Sequence, residues 1–294
     1  MSRGRDESRD VEARDAQSAR LPGDAASRPH DSAARRDRPE YVYLGRTGFL
    51  VRPSDIEAME TIGKFRTVAS EDLARFHFKG NASHTDGRLR ELVGQGLVGR
   101  RTLQIGREGR LEVLFLTKQG QRLVEQERHQ DESRKRDPQA LYAGLKKFAE
   151  IAHDAAIYRM YQVEAARIVK LEGRVRRVVL DYELKKRVYS PLAKAKARQL
   201  PPEEYRKLQD EVARDNCLAV VDGKILLPDL RIEYETREGE MARVDLELAT
   251  DHYKPGQLRD KARAGFRIYR MAQDRSGSSA VWEDRELTAE ILSL

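Results

Sequence analysis

The run Ser83-His84-Thr85-Asp86-Gly87-Arg88-Leu89-Arg90-Glu91-Leu92-Val93-Gly94-Gln95-Gly96-Leu97-Val98-Gly99-Arg100-Arg101, with its continuation to Gly120, decides how this chain reads. A serine hydroxyl can accept from a free N–H of a first helical turn, so Ser83 predicts a helix start. Leu89, Leu92 and Val93 recur at the spacing of one buried stripe, which leaves His84, Thr85, Arg88 and Gln95 off it. Gly96 predicts the helix end, because glycine adopts the left-handed closing conformation and Leu97 and Val98 can pack back on a core. Residues 100–105 and 111–117 then suit paired strands, and Gly106-Arg107-Glu108-Gly109-Arg110 supplies the glycines a hairpin tip needs. Thr117 reads as the cap of another helix that returns Leu123 and Val124 to the core.

Two amphipathic helices precede this unit. Ile56, Met59 and Ile62 share one face of residues 55–65, and Ser70-Glu71-Asp72 places acids at the positive end of a helix over 70–78. Residues 41–44 predict a strand or clasp leading to Gly48-Phe49-Leu50. The ordered set of helices, basic hairpin and closing helix resembles winged helix-turn-helix regulators. That resemblance implies a groove-facing helix presenting His84, Thr85, Arg88 and Arg90, with Arg100, Arg101, Arg107 and Arg110 on phosphates. Winged domains also serve as protein–protein modules, and at this stage both uses stay open.

At 294 residues the chain exceeds the usual ~100 to 200 residues of one domain. We expect a disordered, charge-mixed tail over 1–40, the winged domain over 41–128, a linker over 129–140 and a second domain over 141–294. A formal charge of +7 fits a nucleic-acid partner, although with 36% charged residues the location of the charge matters more than its sum. Cys217 is the one cysteine, so no internal disulfide forms and a reducing cytoplasm is expected. No run of ~18 apolar residues suggests a membrane span, and no secretory signal is expected, so the predicted location is cytoplasmic and nucleoid-associated.

The second half predicts an α+β or α/β class with a mixed sheet. Residues 141–171 read as one long helix or two, with Leu145, Phe148, Ile151, Ala155, Tyr158 and Gln162 on a mostly apolar face. Residues 175–184 read as a strand and 191–213 as a helical insertion, with Pro201-Pro202-Glu203-Glu204 as a helix start. Strands follow over 218–225, 227–234 and 242–249, then a helix over 255–270, a strand over 279–282 and a helix over 287–294. Asp229 and Glu247 could meet at one end of the sheet. This resembles the PD-(D/E)xK, restriction-endonuclease-like fold, in which two acidic residues hold Mg²⁺ for phosphodiester hydrolysis. Ala249 stands where that motif has its lysine, and Lys261 on the following helix is the candidate replacement, with Lys224 a weaker one. His153 reads as a packing histidine and His252 as a loop residue.

Leu227-Pro228-Asp229, Val244-Asp245-Leu246-Glu247 and the segment with Lys261 and Tyr269, behind a winged domain, resemble the replication-relaxation family of plasmids and integrative elements. The resemblance spans residues 55–269. It implies a sequence-specific double-stranded-DNA-binding accessory or regulatory protein of a mobile element, acting in replication, transfer or transcription control and needing no cofactor to bind DNA. Two alternatives are carried forward. One is a Mg²⁺-dependent nuclease or nickase with Asp229, Glu247 and Lys261 as catalytic residues and Asp229 and Glu247 as metal ligands. The other is a docking or homodimerisation platform for replication, transfer or transcription proteins.

Overall fold

The computed structural model describes residues 37–105, 109–130, 139–145, 150–250, 253, 255–270 and 291–293. The expected tail therefore lies outside the described residues up to position 36.

Strands β1 (Glu40–Leu44) and β2 (Thr47–Val51) form a hairpin whose turn places Gly45 at positive φ. Helix α1 (Pro53–Phe65) starts on a proline, which loses nothing at a position whose N–H has no helical partner. A short strand β3 (Val68–Ala69) leads into α2 (Ser70–Phe76), and α3 (Ala82–Gly94) follows. The cap of α3 is Asn81 and not Ser83: the Asn81 side chain accepts from the His84 N–H at 3.0 Å. Its amide oxygen reaches the open end of the turn while the serine is already helical. Gly96 closes the helix at φ +72°, with the Leu97 N–H returning to the Leu92 carbonyl at 3.0 Å.

Strands β4 (Val98–Ile105) and β5 (Gly109–Leu116) pair antiparallel, and β5 also pairs with β3, giving the order β3-β5-β4. Thr117 caps α4 (Lys118–Gln130) through its Oγ1, which accepts from the Gly120 N–H at 3.0 Å. A Cβ on Gly120 would sit 2.0 Å from the Leu97 carbonyl oxygen, so only glycine lets the helix start this close to the preceding chain.

The second half begins with α5 (Ile151–Lys170), shorter than the expected 141–171: residues 141–145 are not helical, and 146–149, with Phe148, lie outside the described residues. Strand β6 (Arg174–Leu180) gives way to α6 (Asp181–Ala197), so residues 181–184 belong to a helix and not to the strand. The acids Asp181 and Glu183 in that first turn suit its dipole, and Pro191 lies inside the helix instead of starting one. Then come α7 (Pro202–Asp215), the small hairpin β7 (Val220–Val221) and β8 (Lys224–Ile225), β9 (Leu230–Glu235) and β10 (Met241–Ala249). Helix α8 (Pro255–Arg263) stops at Gly265, φ +83°, and the chain turns into β11 (Arg267–Arg270), so Tyr269 sits on a strand and not on the expected helix. The last described element, β12 (Ile291–Ser293), is also a strand where a terminal helix was expected; residues 279–282 lie outside the described residues.

These strands make one mixed sheet, β12-β11-β10-β9-β6, antiparallel through β6, β9 and β10 and parallel through β10, β11 and β12. The protein is thus α+β with several sheets.

A single core cluster runs from Phe49 through Tyr158 to Tyr269. Tyr158 of α5 packs its ring 5.0 Å from that of Phe65 and edge-on to Phe76 at 5.9 Å. Arg159 forks onto buried Asp72 with two 3.0 Å bonds, and buried Glu164 accepts from Tyr269 Oη at 2.6 Å. Within the expected linker, Gln139 is buried and its side-chain amide pairs both ways with the Val178 backbone at the sheet edge, at 2.8 and 3.0 Å. Tyr142 and Gly144 then donate to the carbonyls of Gly63 and Leu116, each at 2.8 Å. Among the described residues no helix is long and apolar enough to cross a membrane.

Helix α3 is tied to α1 by the buried pair Arg88 and Asp55, with Arg88 Nε donating at 3.0 Å and a second guanidinium nitrogen closing the fork. Asp55→Ala leaves that buried guanidinium with only the exposed Glu91 of its two carboxylate partners, and we expect a loss of roughly 3 kcal/mol in urea unfolding. Asp55→Leu with Arg88→Met should recover most of it; equal losses for the two variants would contradict a paired role.

Candidate functional site

The helix α3 and the β4–β5 hairpin sort the first set of expected contact residues into three groups. His84 and Arg90 are exposed on α3, and Arg101 and Arg110 are exposed on the hairpin strands. Thr85 and Arg88 face inward, contrary to expectation. Thr85 is 2% exposed and its hydroxyl donates to the Asn81 carbonyl at 2.7 Å, while Arg88 is 5% exposed and held by Asp55 and Glu91. A guanidinium so engaged braces the helix and cannot reach a groove. Arg100 is also engaged: it bridges Asp86 at 2.8 Å and Glu112 at 2.9 Å, fastening the hairpin to α3. Bonds from Arg100 and then Arg90 hold the Asp86 carboxyl below the usual carboxylate range. Arg107 lies outside the described residues. The first turn of α3 contains no acid, so its positive end faces outward without an internal counter-charge.

The second set converges at one end of the mixed sheet. Asp229 immediately precedes β9, Glu247 lies near the end of β10, and Lys261 comes from α8. Glu247 is fully buried; Lys261 and Tyr253 both donate to its Oε1, and the Asp229 N–H donates to its Oε2 at 3.3 Å. Lys261 also donates to the Leu227 carbonyl at 3.2 Å. Asp229 Oδ2 accepts from the Leu248 N–H at 2.9 Å and contacts His153 Nε2 at 3.2 Å. Sequence reasoning set His153 aside as a packing residue, but here it is a charge partner. Its position on α5 carried no local signal, because Asp229 lies 76 residues away in the chain. Lys224, the weaker lysine candidate, is exposed on β8, and neither carboxylate holds it. His252 lies outside the described residues.

The electrostatics follow from burial and pairing. Burial, reinforced by the charge of Asp229, raises Glu247 to about 7 against the pull of Lys261 and Tyr253. Burial works against the His153 imidazolium, yet the bonds and charges of Asp154 and Asp229 outweigh it and hold the group up to about 10. Burial also opposes ionisation of Asp229, but His153, the Leu248 N–H and Lys261 keep it lowered. The phenol of Tyr253 is pushed well up by burial and by the neighbouring carboxylates.

A Mg²⁺ at this cluster would compete with donors that the carboxylates already hold. A magnesium ion asks for near-octahedral oxygen ligands. Here both Glu247 oxygens and Asp229 Oδ2 already accept from protein donors, and two of those donors, Lys261 and His153, supply the positive charge a metal would bring. Among the described residues no group of three or more His, Cys, Asp or Glu is placed to hold a metal ion.

No protein-family model matches the chain, and no curated protein matches it either. Among solved structures, that of Bacillus subtilis PadR in complex with operator DNA is similar over 54% of this chain and 93% of that chain, at 11% identity and a TM-score of 0.21. A likeness of that size carries no argument about this protein.

Two outcomes test the acidic cluster. Because the folded-state value of His153 is raised from 6.5 to about 10, its stabilisation is complete below pH 6.5 and is lost as pH rises through about 10. The unfolding free-energy gap between the parent protein and His153→Gln should therefore shrink over that window; a constant gap would rule the ion pair out. Millimolar Mg²⁺ should leave the thermal midpoint unmoved, whereas a midpoint that climbs with Mg²⁺ concentration, as linkage demands of a native-state site, would show that the ion wins that competition.

Proposed function

We propose that this protein binds double-stranded DNA through α3 and the β4–β5 hairpin, used as a winged helix-turn-helix. The observation that carries this reading is the outward, acid-free first turn of α3 fixed beside a hairpin with exposed Arg101 and Arg110. A helix N-terminus and exposed guanidinium groups are suited to phosphate oxygens, which set register on a duplex. The Arg100–Asp86 bridge keeps helix and hairpin in one geometry, so His84 and Arg90 would approach a groove while the hairpin arginines lie along the backbone.

On this reading the second half is a restriction-endonuclease-like scaffold. Its helix, three strands, helix and strand order, with Asp229, Glu247 and Lys261 together, favours a nuclease ancestry, and the engaged carboxylates speak against a metal-dependent nuclease at work. The sequence resemblance to the replication-relaxation family supports an accessory or regulatory role in a mobile element, in replication, transfer or transcription control. Self-association, or docking of proteins for those processes, is the alternative reading of this half.

Arg101→Ala with Arg110→Ala should weaken duplex binding on every sequence. It should also flatten the dependence of log affinity on log salt by about 0.9 per lost phosphate contact. Unchanged affinity and slope in a mobility-shift titration would sink the assignment.

A further inference from the structure

The helical pair α6 and α7 interrupts the sheet between neighbouring strands β6 and β9 and carries a small core of its own, Val188, Leu192, Val212 and Leu218. Helix α6 holds Lys185, Lys186, Arg187, Lys194 and Lys196, and its acids Asp181 and Glu183 both fall in the first turn. Two clefts of about 820 and 610 Å³ lie along this insertion and share Lys196, Tyr205, Gln209 and Gly223, so they form one continuous groove. The inner end of the groove reaches Asp229 and Lys261.

We infer that this groove is a second nucleic-acid site and takes a single strand. Its charge is available to a polyanion. Among the described residues no carboxylate lies within ion-pairing distance of Lys196, Arg206 or Lys224, all exposed on its walls. The lining acids are largely neutralised: Asp181 pairs with Lys185 and Asp229 with His153, which leaves Asp210 against those three cations. The groove also has flat apolar faces. Tyr189 is 52% exposed on α6, and Tyr205 of α7, half-buried against the insertion's core, lines the same groove with Leu192 and Leu227. Cations that follow a backbone, interleaved with aromatic faces for unstacked bases, are the combination that holds single strands without sequence preference. A duplex keeps its base faces covered and would leave the tyrosines without a function. This site rests on observations separate from those for α3 and the hairpin, and it adds a second kind of ligand.

The test uses the full-length protein with fluorescently labelled oligo(dT), oligo(U) and a mixed-sequence blunt duplex in anisotropy titrations, alongside phosphatidylserine vesicles in a sedimentation assay. We expect the parent protein to bind oligo(dT), oligo(U) or both; the two arms distinguish DNA from RNA, and either supports the site. Lys196→Glu with Lys224→Glu should weaken that binding about tenfold or more, with a salt slope flattened by about 0.7 per lysine lost. Tyr189→Ala should cost roughly tenfold through lost stacking. The charge-keeping Lys196→Arg with Lys224→Arg should retain binding, and circular dichroism melting checks that each variant is folded. Duplex affinity should stay within about twofold in these variants, while Arg101→Ala with Arg110→Ala should leave oligonucleotide binding intact. The inference is overturned if the parent protein binds neither oligonucleotide, if the folded variants bind them as the parent does, or if the groove lysines govern vesicle binding alone.

Discussion

The rest of the molecule depends on α5 being buried from two sides. Its one side receives the first half, with Tyr158 against Phe65 and Phe76 and Arg159 forked onto Asp72. Elsewhere along the helix, Glu164 holds Tyr269 and Arg267 of β11, and His153 reaches Asp229. A helix in that position cannot move without breaking a packed aromatic cluster and several buried charge pairs together. Each broken pair would leave a desolvated charge, and one core cluster takes in residues of both halves. The strap adds backbone bonds from Tyr142 and Gly144 to the first half, and the Gln139 side chain covers part of the β6 edge.

The same logic separates the charges that build the fold from those left to bind something. Arg88, Arg100, Arg159 and Arg231 all face carboxylates, as do Lys261 and His153. With those set aside, the hairpin with its helix and the α6–α7 groove still carry exposed cations. The acidic cluster between Asp229 and Glu247 is quiet by comparison: it has its own cations, and Glu247 has no contact with solvent. Net charge alone could not have made this division, because buried pairs and surface arginines count equally in it.

Much of the fold was legible because its signals are local. Thr117 and Gly96 cap and close helices within a few residues of themselves, and the expected strands over 100–105 and 111–117 pair as β4 and β5. Asp229, Glu247 and Lys261 were each readable as candidates; the sheet register brings the two carboxylates together, and α8 adds Lys261. What failed were inferences needing a distant partner. Thr85 is the exception, held by the Asn81 carbonyl four residues away; Arg88 lies off the apolar stripe, and nothing near it in sequence announces Asp55, 33 residues upstream, as its partner. His153 was misjudged for the same reason. Tyr269 was assigned to a helix because the pattern ran on past Gly265, whose positive φ breaks it.

Amide hydrogen exchange on the full-length protein, with and without a saturating duplex, tests the central claim most directly. The account predicts new protection in the first turns of α3 and along β4 and β5, with exchange near Asp229 and at the end of β10 unchanged. Protection confined to the Asp229 and Glu247 end, with α3 and the hairpin exchanging as in the free protein, would contradict it.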